Sequence, residues 1–436
     1  GSGTPAAADG GARAGSVTGR EVFLGIDLGT SGARAAAVDG AGNPVAWVRR
    51  DLPPDEASRR NPGAWAHAVE DAVKELRTRI EGRRTCAVSV DATSGTVLGL
   101  GKDGRPVGEP LMYDQDVRRP EWVRRIAEAA PRESAAHGAA SGLIRSLALQ
   151  ERPGVTRILH QADWLMEQVA GRPTPTDESN ALKTEYDPVA RKWPAWIRDA
   201  GLDSALLPAV LPSGAEIGRT AGSLGLPADV PLIAGFTDGC ASFWATRAER
   251  PGDGVTALGS SLTLKLLSDR PVFAPKYGIY SHRVGDRWLA GGASNSGGAA
   301  LLGFFTPERV EALSKRIDPM LDSGLDYVVL PRPGERFPVS DPDLAPRTHP
   351  RPKDDIAFLH GLLEGIARTE SLGYRRLAEH GAPPLSSLRS VGGGAANPAW
   401  TRMRLRILGV KEAPALSTEA AVGTARLARS GVRGDL

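Results

Sequence analysis

The stretch Phe23-Leu24-Gly25-Ile26-Asp27-Leu28-Gly29-Thr30-Ser31-Gly32-Ala33-Arg34-Ala35 decides how the chain is read. An apolar run carries into one acid, and the acid leads into a Gly-Thr-Ser-Gly turn. Alternating small and apolar residues resume at Ala35–Val38. The pattern predicts strand, tight turn, strand, with a carboxylate at the mouth of the turn. Gly29 and Gly32 admit positive φ and a close approach of the backbone. The freed N–H groups, with the Thr30 and Ser31 hydroxyls, suit an anion such as a phosphate. Asp27, the only charge expected there, suits a Mg²⁺ ion or a substrate hydroxyl. A surface hairpin closed by an ordinary Asx-type turn would use the same residues, so the rest of the chain must decide.

Outward from that stretch, the pattern repeats. Asn61-Pro62 starts a predicted helix, with Asn61 as cap and Pro62 at the first position. Trp65, Val69, Val73, Leu76 and Ile80 recur on one face of it. Cys86–Val90 reads as a buried strand ending in Asp91-Ala92-Thr93-Ser94-Gly95-Thr96, and Val97–Leu100 resumes as a strand. Leu232–Gly235 leads in the same way into Phe236-Thr237-Asp238-Gly239. Strand and helix in alternation indicate an α/β architecture. Trp122–Ala130 and Ile158–Val169 read as helices, as does the face formed by Ile356, Leu359, Leu363 and Ile366. Thr418–Arg429 is a last amphipathic segment. Two halves that each open on strand, acid and Gly/Ser/Thr turn suggest two related domains facing one cleft rather than a solenoid.

Composition narrows the classes. The 436 residues are enough for two domains. Apolar residues make up 41% and charged residues 24%, as in a folded globular chain. Net charge is +3, and the 54 Lys and Arg are scattered without a basic, aromatic-studded stripe, which argues against nucleic-acid binding. No apolar run reaches membrane-spanning length. Cys86 and Cys240 lie far apart, which suggests a reducing compartment without a disulfide framework. The seven histidines show no zinc-binding spacing. Residues 1–20, rich in Gly, Ala and Arg, carry no large apolar side chain and read as a flexible start outside the fold.

Asp27 and Asp238 form the candidate catalytic pair. Phosphoryl transfer uses one carboxylate for Mg²⁺ and another to accept the proton of the attacking hydroxyl. The expectation is that the two acids meet across a cleft, one from each half, although strand-end acids are also common turn formers. Gly259-Ser260-Ser261 with Thr263, and Gly393-Gly394-Ala395 with Asn397, are Gly-rich loops after strands, able to surround phosphates or lie flat under a base. They match neither a Walker loop nor a dinucleotide fingerprint, and each alone is also readable as a turn. Ser94, Tyr113, Asp114 and Gln115 are polar groups suited to a polyol. Lys265 and Arg145 read as ordinary solvated charges. No nucleophile elbow is present, so hydrolase readings lack support.

Taken together in order, GIDLGTSGAR, SVDATSGTVL, AGFTDGCASF, ALGSSLTLKLL, GGASNSGGA and VGGGAANPAW resemble the FGGY carbohydrate kinases of the actin/Hsp70/sugar-kinase superfamily. Further stretches resemble its cyanobacterial and plant-plastid branch of xylulose-kinase-like D-ribulose kinases: HQADWL (160–165), NALK (180–183), YSHR (280–283), residues 325–347 and TEAAVGTARLA (418–428). The likeness runs from about Val22 to about Arg429. It implies two ribonuclease-H-like, actin-like domains. Residues 21–245, completed by a C-terminal helix over 417–431, would form the sugar side, and residues 246–416 the nucleotide side. It implies ATP and Mg²⁺, with Asp27 at the phosphate and metal and Thr30 and Ser31 near the transferred group. Asp238 would be the base and Ser94 would lie at the sugar. Gly259, Ser260 and Thr263 would hold the ATP phosphates, and Gly393, Gly394, Ala395 and Asn397 the adenine side. The expected reaction phosphorylates a ketopentose, D-ribulose before D-xylulose, in a plastid stroma or otherwise a cytoplasm. Nothing in the sequence indicates a protein partner. Ala92, Phe236, Gly239 and Asp114 depart from the branch pattern around the sugar pocket. These departures motivate a second reading, a nucleotide-binding scaffold that kept the fold and lost sugar chemistry.

Overall fold

In the computed structural model, which describes residues 20–436 apart from 133, 135, 138 and 140, the opening stretch is a β-hairpin of Glu21–Gly29 (β1) and Gly32–Val38 (β2). The segment expected to lie outside the fold, residues 1–20, falls outside the described residues except for Arg20. Every residue of β1 from Val22 to Leu28 is buried, so its two faces are both covered and it reads as a continuous apolar run. Pro44–Asp51 (β3) continues the meander. Helix α1, Pro62–Arg79, follows: the Asn61 side chain accepts from Gly63 N at 2.8 Å, and Pro62 occupies the first turn. Its buried face of Trp65, Val69, Val73 and Leu76 packs on the sheet, where Trp65 meets Trp164 edge-on at 5.8 Å.

Arg84–Ala92 (β4), Glu216–Ala221 (β5) and Ala228–Thr237 (β6) complete the first sheet in the order β3-β2-β1-β4-β6-β5. β4 runs parallel to β1 and to β6. The second sheet holds Asp253–Leu258 (β7), Leu262–Ser268 (β8), Tyr280–Val284 (β9), Arg287–Ser294 (β10), Ser387–Val391 (β11) and Lys411–Glu412 (β12), ordered β9-β10-β8-β7-β11-β12. Each sheet thus contains the same unit: an antiparallel meander of three strands whose first strand also pairs in parallel with a fourth. The repeat is real, but its second copy opens at β7, whose turn Gly259-Ser260-Ser261 carries no acid. β6 belongs to the first sheet, so the expectation that Asp27 and Asp238 come one from each half is corrected. Both leave the C-terminal ends of strands in one sheet, with β4 between them.

The segment predicted as a helix over Ile158–Val169 divides into a strand, Arg157–His160, and a helix, Gln161–Ala170. The strand pairs with Val97–Leu100, and the break falls at His160. There the Asp163 side chain accepts from His160 N at 2.9 Å and starts the helix. Helix α2 (Asp238–Ala245) leads from the first domain toward β7, and in the second domain helices α3 (Asp355–Glu379) and α4 (Pro398–Leu408) cover the second sheet.

The chain then crosses back. Helix α5, Ala420–Arg433, leaves the second domain and packs on β1, β4 and α2 of the first. Two glycines make this seam possible. A Cβ at Gly25 would lie 2.2 Å from both Ala421 O and Ala425 N, and one at Gly423 would lie 1.9 Å from Ala241 O. Adding a methyl group must therefore push two backbones apart. Gly423→Ala is expected to destabilise the protein by about 1–3 kcal/mol, the usual range for overpacking. Urea unfolding reads this directly, and an unchanged midpoint would refute the tight seam. Among the described residues no helix is long and apolar enough to cross a membrane.

Candidate functional site

Three carboxylates meet where β1, β4 and β6 end. Asp27 and Asp91 are register partners on the parallel strands β1 and β4. Asp238 is the first residue of α2, with Thr237 as the cap. Asp27 and Asp238 line a cleft of about 760 Å³, together with Thr30, Ser31, Ser94 and Tyr113 from the first domain and Ser261 and Thr263 from the second, while Asp91 is fully buried. Arg34 of β2 donates to Asp27 Oδ2 at 3.1 Å and also lines the cleft. Asp27 is thus far from the only charge at the mouth of the turn.

The acids divide the protons unequally. Burial pushes the Asp91 carboxyl well above its ordinary range, and the neighbouring Asp27 carboxylate pushes it further. Asp91 Oδ1 meets no donor, whereas Oδ2 accepts from Thr424 Oγ1 of α5. An oxygen without a donor, beside a carboxylate, is the one that carries the proton. Burial and the Asp27 carboxylate thus both favour the protonated form of Asp91. Burial raises Asp27 too, opposed by Asp91 and Arg34. Asp238 is raised by burial; the Gly239 N–H at 2.9 Å, Lys183, the Ser94 N–H and Lys265 all favour its charged form.

A stability consequence follows from Asp91. Folding raises its pKa above the ordinary aspartate value of about 4, so folding favours proton uptake and stability falls as pH rises above that value. Asn at this position keeps a donor toward Asp27 and an acceptor for Thr424 without the titration. Asp91→Asn is expected to raise Tm at pH 7.5 by about 2–4 °C for each kcal/mol recovered and to leave Tm unchanged at pH 4. An equal shift at both pH values would refute a raised pKa at Asp91.

Next to the cleft, across the loop after β7, opens a second cavity of about 850 Å³ with a mostly apolar wall. Gly259 and Ser260 line it on one side, and Gly393, Gly394, Asn397 and Trp400 on another. The loop 258–261 is thus a partition, with Ser261 and Thr263 facing the acids and Gly259 and Ser260 facing the apolar slot. It is held rigidly: Gly298 N donates to Gly259 O at 2.9 Å and Ala299 N to Ser260 O at 3.0 Å. A polar chamber joined to an apolar slot through a loop of backbone N–H groups is the shape of a phosphate tail and a flat base.

Residues 254–431 match the C-terminal domain of the FGGY family of carbohydrate kinases. The chain is 23% identical over 423 residues to a xylulose kinase of Staphylococcus epidermidis, covering 90% of this chain and 84% of that one. It is 26% identical over 413 residues to a xylulose kinase of Streptomyces coelicolor, covering 89% and 83%. The likeness to carbohydrate kinases thus runs along most of the chain, with the FGGY C-terminal domain matched over residues 254–431. Among solved structures its fold is similar to that of a xyloylose kinase from Brucella ovis, with a TM-score of 0.82, 22% identity and coverage of 95% and 91%. The ligand-bound xylulose kinase from Lactobacillus acidophilus gives 0.79, 17%, and 95% and 90%. The two-domain, actin-like α/β fold expected of an FGGY chain is the one found.

Several of the expected site residues take other positions. Asp114 is exposed and its Oδ2 accepts from Arg59 at 2.7 Å, away from the cleft lining. Gln115 turns back on its own loop, its Oε1 accepting from Met112 N at 2.6 Å. Ala395 packs against the apolar core of the second domain rather than lining the slot. Asn397 does line the slot, but its side chain is engaged: Oδ1 accepts from Trp400 N to cap α4, and Nδ2 donates to Ser314 Oγ at 2.8 Å. Arg145 is buried, not solvated; it donates to Gly95 O at 3.1 Å and to Gln115 O at 3.3 Å and so clamps the loop that carries Ser94. Lys265 is half-buried beside Gly239 and the Asp238 carboxylate.

Other groups near the cleft were not singled out in the sequence. Asp91 had a signal, since it is the acid of the second strand-acid-turn pattern. Arg34 closes the opening stretch. Lys183 had only its place in a branch stretch: its Nζ lies 3.5 Å from Tyr280 Oη and 4.9 Å from that ring's centre. Lys183 draws the Tyr280 phenol down to about 8. Among the described residues no three His, Cys, Asp or Glu side chains gather into a metal cage. Mg²⁺ is a hard ion that takes one or two carboxylates and completes its shell with phosphate oxygens and water. Asp27 offers such a donor.

Proposed function

We propose that this protein is an ATP-dependent kinase that transfers the γ-phosphoryl of ATP to a hydroxyl of a ketopentose, D-ribulose first and D-xylulose next. The observation that carries the reading is the convergence of Asp27, Asp238 and the Ser261–Thr263 edge on one polar cleft, joined to an apolar slot. The xylulose-kinase relatives support a pentose acceptor. The plastid and cyanobacterial branch stretches favour D-ribulose. Those stretches meet in the fold: Lys183 of NALK reaches Tyr280 of YSHR, and Thr424 of the last stretch reaches Asp91.

In this reading the apolar slot takes adenine, and the loop 259–261 carries the phosphates past Ser261 toward Thr30 and Ser31. Asp27 would hold Mg²⁺, which would supply neutralisation of the phosphate charge. Asp238 accepts the proton of the attacking hydroxyl, kept ionised by the helix N-terminus, Gly239 N–H, Lys183 and Lys265. Asp91 stands beside Asp27 on the parallel strand β4, and Arg34 donates to Asp27 Oδ2. Ser94, fixed by Arg145, and Tyr113 bind sugar hydroxyls. Closure of the two domains excludes water and favours the sugar over hydrolysis.

A scaffold that has lost its chemistry finds less support, because both acids and the partition loop stand together. ATP turnover with a panel of pentoses and polyols tests the proposal. Stimulation by D-ribulose well above the sugar-free rate is expected. ATP binding without any phosphorylated product from the panel would overturn it.

A further inference from the structure

A third cavity, of about 470 Å³, lies two turns further along α5 from the cleft, at the first crossing between the domains. Four guanidiniums line it: Arg426 and Arg429 from α5, Arg247 from the crossing segment and Arg287 from β10 of the second domain. Glu249 and Asp435 are the side-chain carboxylates on its wall.

Arg426 is 9% exposed, and its Nε and Nη1 are buried with no hydrogen-bond partner. Only its Nη2 is engaged, donating to Glu249 Oε1 at 2.7 Å. A buried guanidinium with two orphan N–H edges is expensive to leave so. Burial works against its charge, as do Arg247 and Arg429 beside it; Glu249 opposes them. The other three are held in place from behind. Arg247 donates to Ala41 O at 3.1 Å and Asn43 Oδ1 at 3.0 Å, Arg429 Nε to Gly40 O at 2.7 Å, and Arg287 to Glu249 O at 2.6 Å. Arg247 also sits at φ 61°, a left-handed conformation that a side chain rarely takes and that aims it into this corner.

We propose that this cavity is a binding site for a small phosphate-bearing anion, separate from the cleft, which ties the second domain through Arg287 to the first through Arg426 and Arg429. Four guanidiniums against two carboxylates leave a surplus matching the near-dianionic charge of a phosphate monoester. Planar guanidinium edges suit its oxygens, and the volume admits phosphate alone or a phosphorylated pentose. Because its wall spans both domains at their crossing, the bound anion favours one inter-domain arrangement over others.

Calorimetric titration of the full chain with inorganic phosphate, and separately with a pentose 5-phosphate, tests this. Arg426→Met and Arg287→Met are each expected to weaken one binding component at least tenfold. Arg309→Met, an exposed arginine elsewhere, leaves it unchanged, and binding that survives in every variant belongs to the cleft. Arg426→Lys and the half-buried Arg287 guard against a folding defect, with thermal melts run alongside. Tighter binding of the sugar phosphate identifies it as the ligand, and equal binding identifies free phosphate. No binding in the wild type, or isotherms unchanged in both methionine variants, would overturn the proposal.

Discussion

Asp238→Asn is expected to lower sugar-dependent ATP turnover by about a hundred- to ten-thousandfold, the range that removal of a positioned general base produces. The substitution is nearly isosteric and keeps an oxygen for the Gly239 N–H, which now lies 2.9 Å from Oδ1. Folding and nucleotide affinity should therefore change little, since the apolar slot is lined by other residues. The loss falls on kcat. A pH profile separates this role from a structural one. Burial raises the Asp238 pKa above the ordinary carboxylate range, so the wild-type rate falls on the acid side as the base is protonated, and that limb sits higher than a free aspartate would put it. The residual rate of the variant lacks the limb. Turnover that survives the substitution would remove Asp238 from the reaction.

The second large effect concerns stability. Arg404 of α4 and Glu370 of α3 form an ion pair with neither side chain exposed. Both contacts are 2.7 Å, Arg404 Nε to Oε2 and Nη2 to Oε1. Thr256 of β7 donates to Glu370 Oε1 at 2.6 Å, and Arg404 also donates to Ser390 Oγ of β11 at 2.9 Å. The pair thus joins two helices to two central strands behind the apolar slot. Glu370→Ala leaves a charged guanidinium buried without a counter-ion and is expected to cost about 3–5 kcal/mol. Denaturant unfolding should show the loss, together with weaker nucleotide binding, because Trp400 of α4 lines the slot. Replacing both partners, Glu370→Met with Arg404→Met, should recover much of the loss, since desolvating a paired charge is itself unfavourable. A double variant no better than Glu370→Ala would show that the network, rather than the orphaned charge, carries the energy.

Residue pattern alone was enough for what depends on neighbours in sequence. Asn61 and Pro62 mark a helix start by local hydrogen bonding and a fixed φ. The run Val22–Leu28 marks a strand buried on both faces. Phosphate-type turns announce themselves through Gly, Thr and Ser. Side-chain direction was not legible in the same way. Asp114 carries the right chemistry but is drawn outward by Arg59, which lies 55 residues away. Arg145 reads as a surface charge until the carbonyls of Gly95 and Gln115 are seen to require it.

The sequence by itself determined the α/β class, the strand-turn repeats, the acids Asp27 and Asp238, and the glycine loops, because each depends on a period or a turn within a few residues. Only the tertiary structure decided that both acids leave one sheet, that a third acid, Asp91, is buried on the strand between them, and that the last helix closes the first domain. Parallel pairing of β1, β4 and β6 brings together residues about 64 and 145 positions apart, and no local pattern records which strand lies beside which. Proton sharing among the acids follows from that adjacency and from burial, which exist only once the chain has folded.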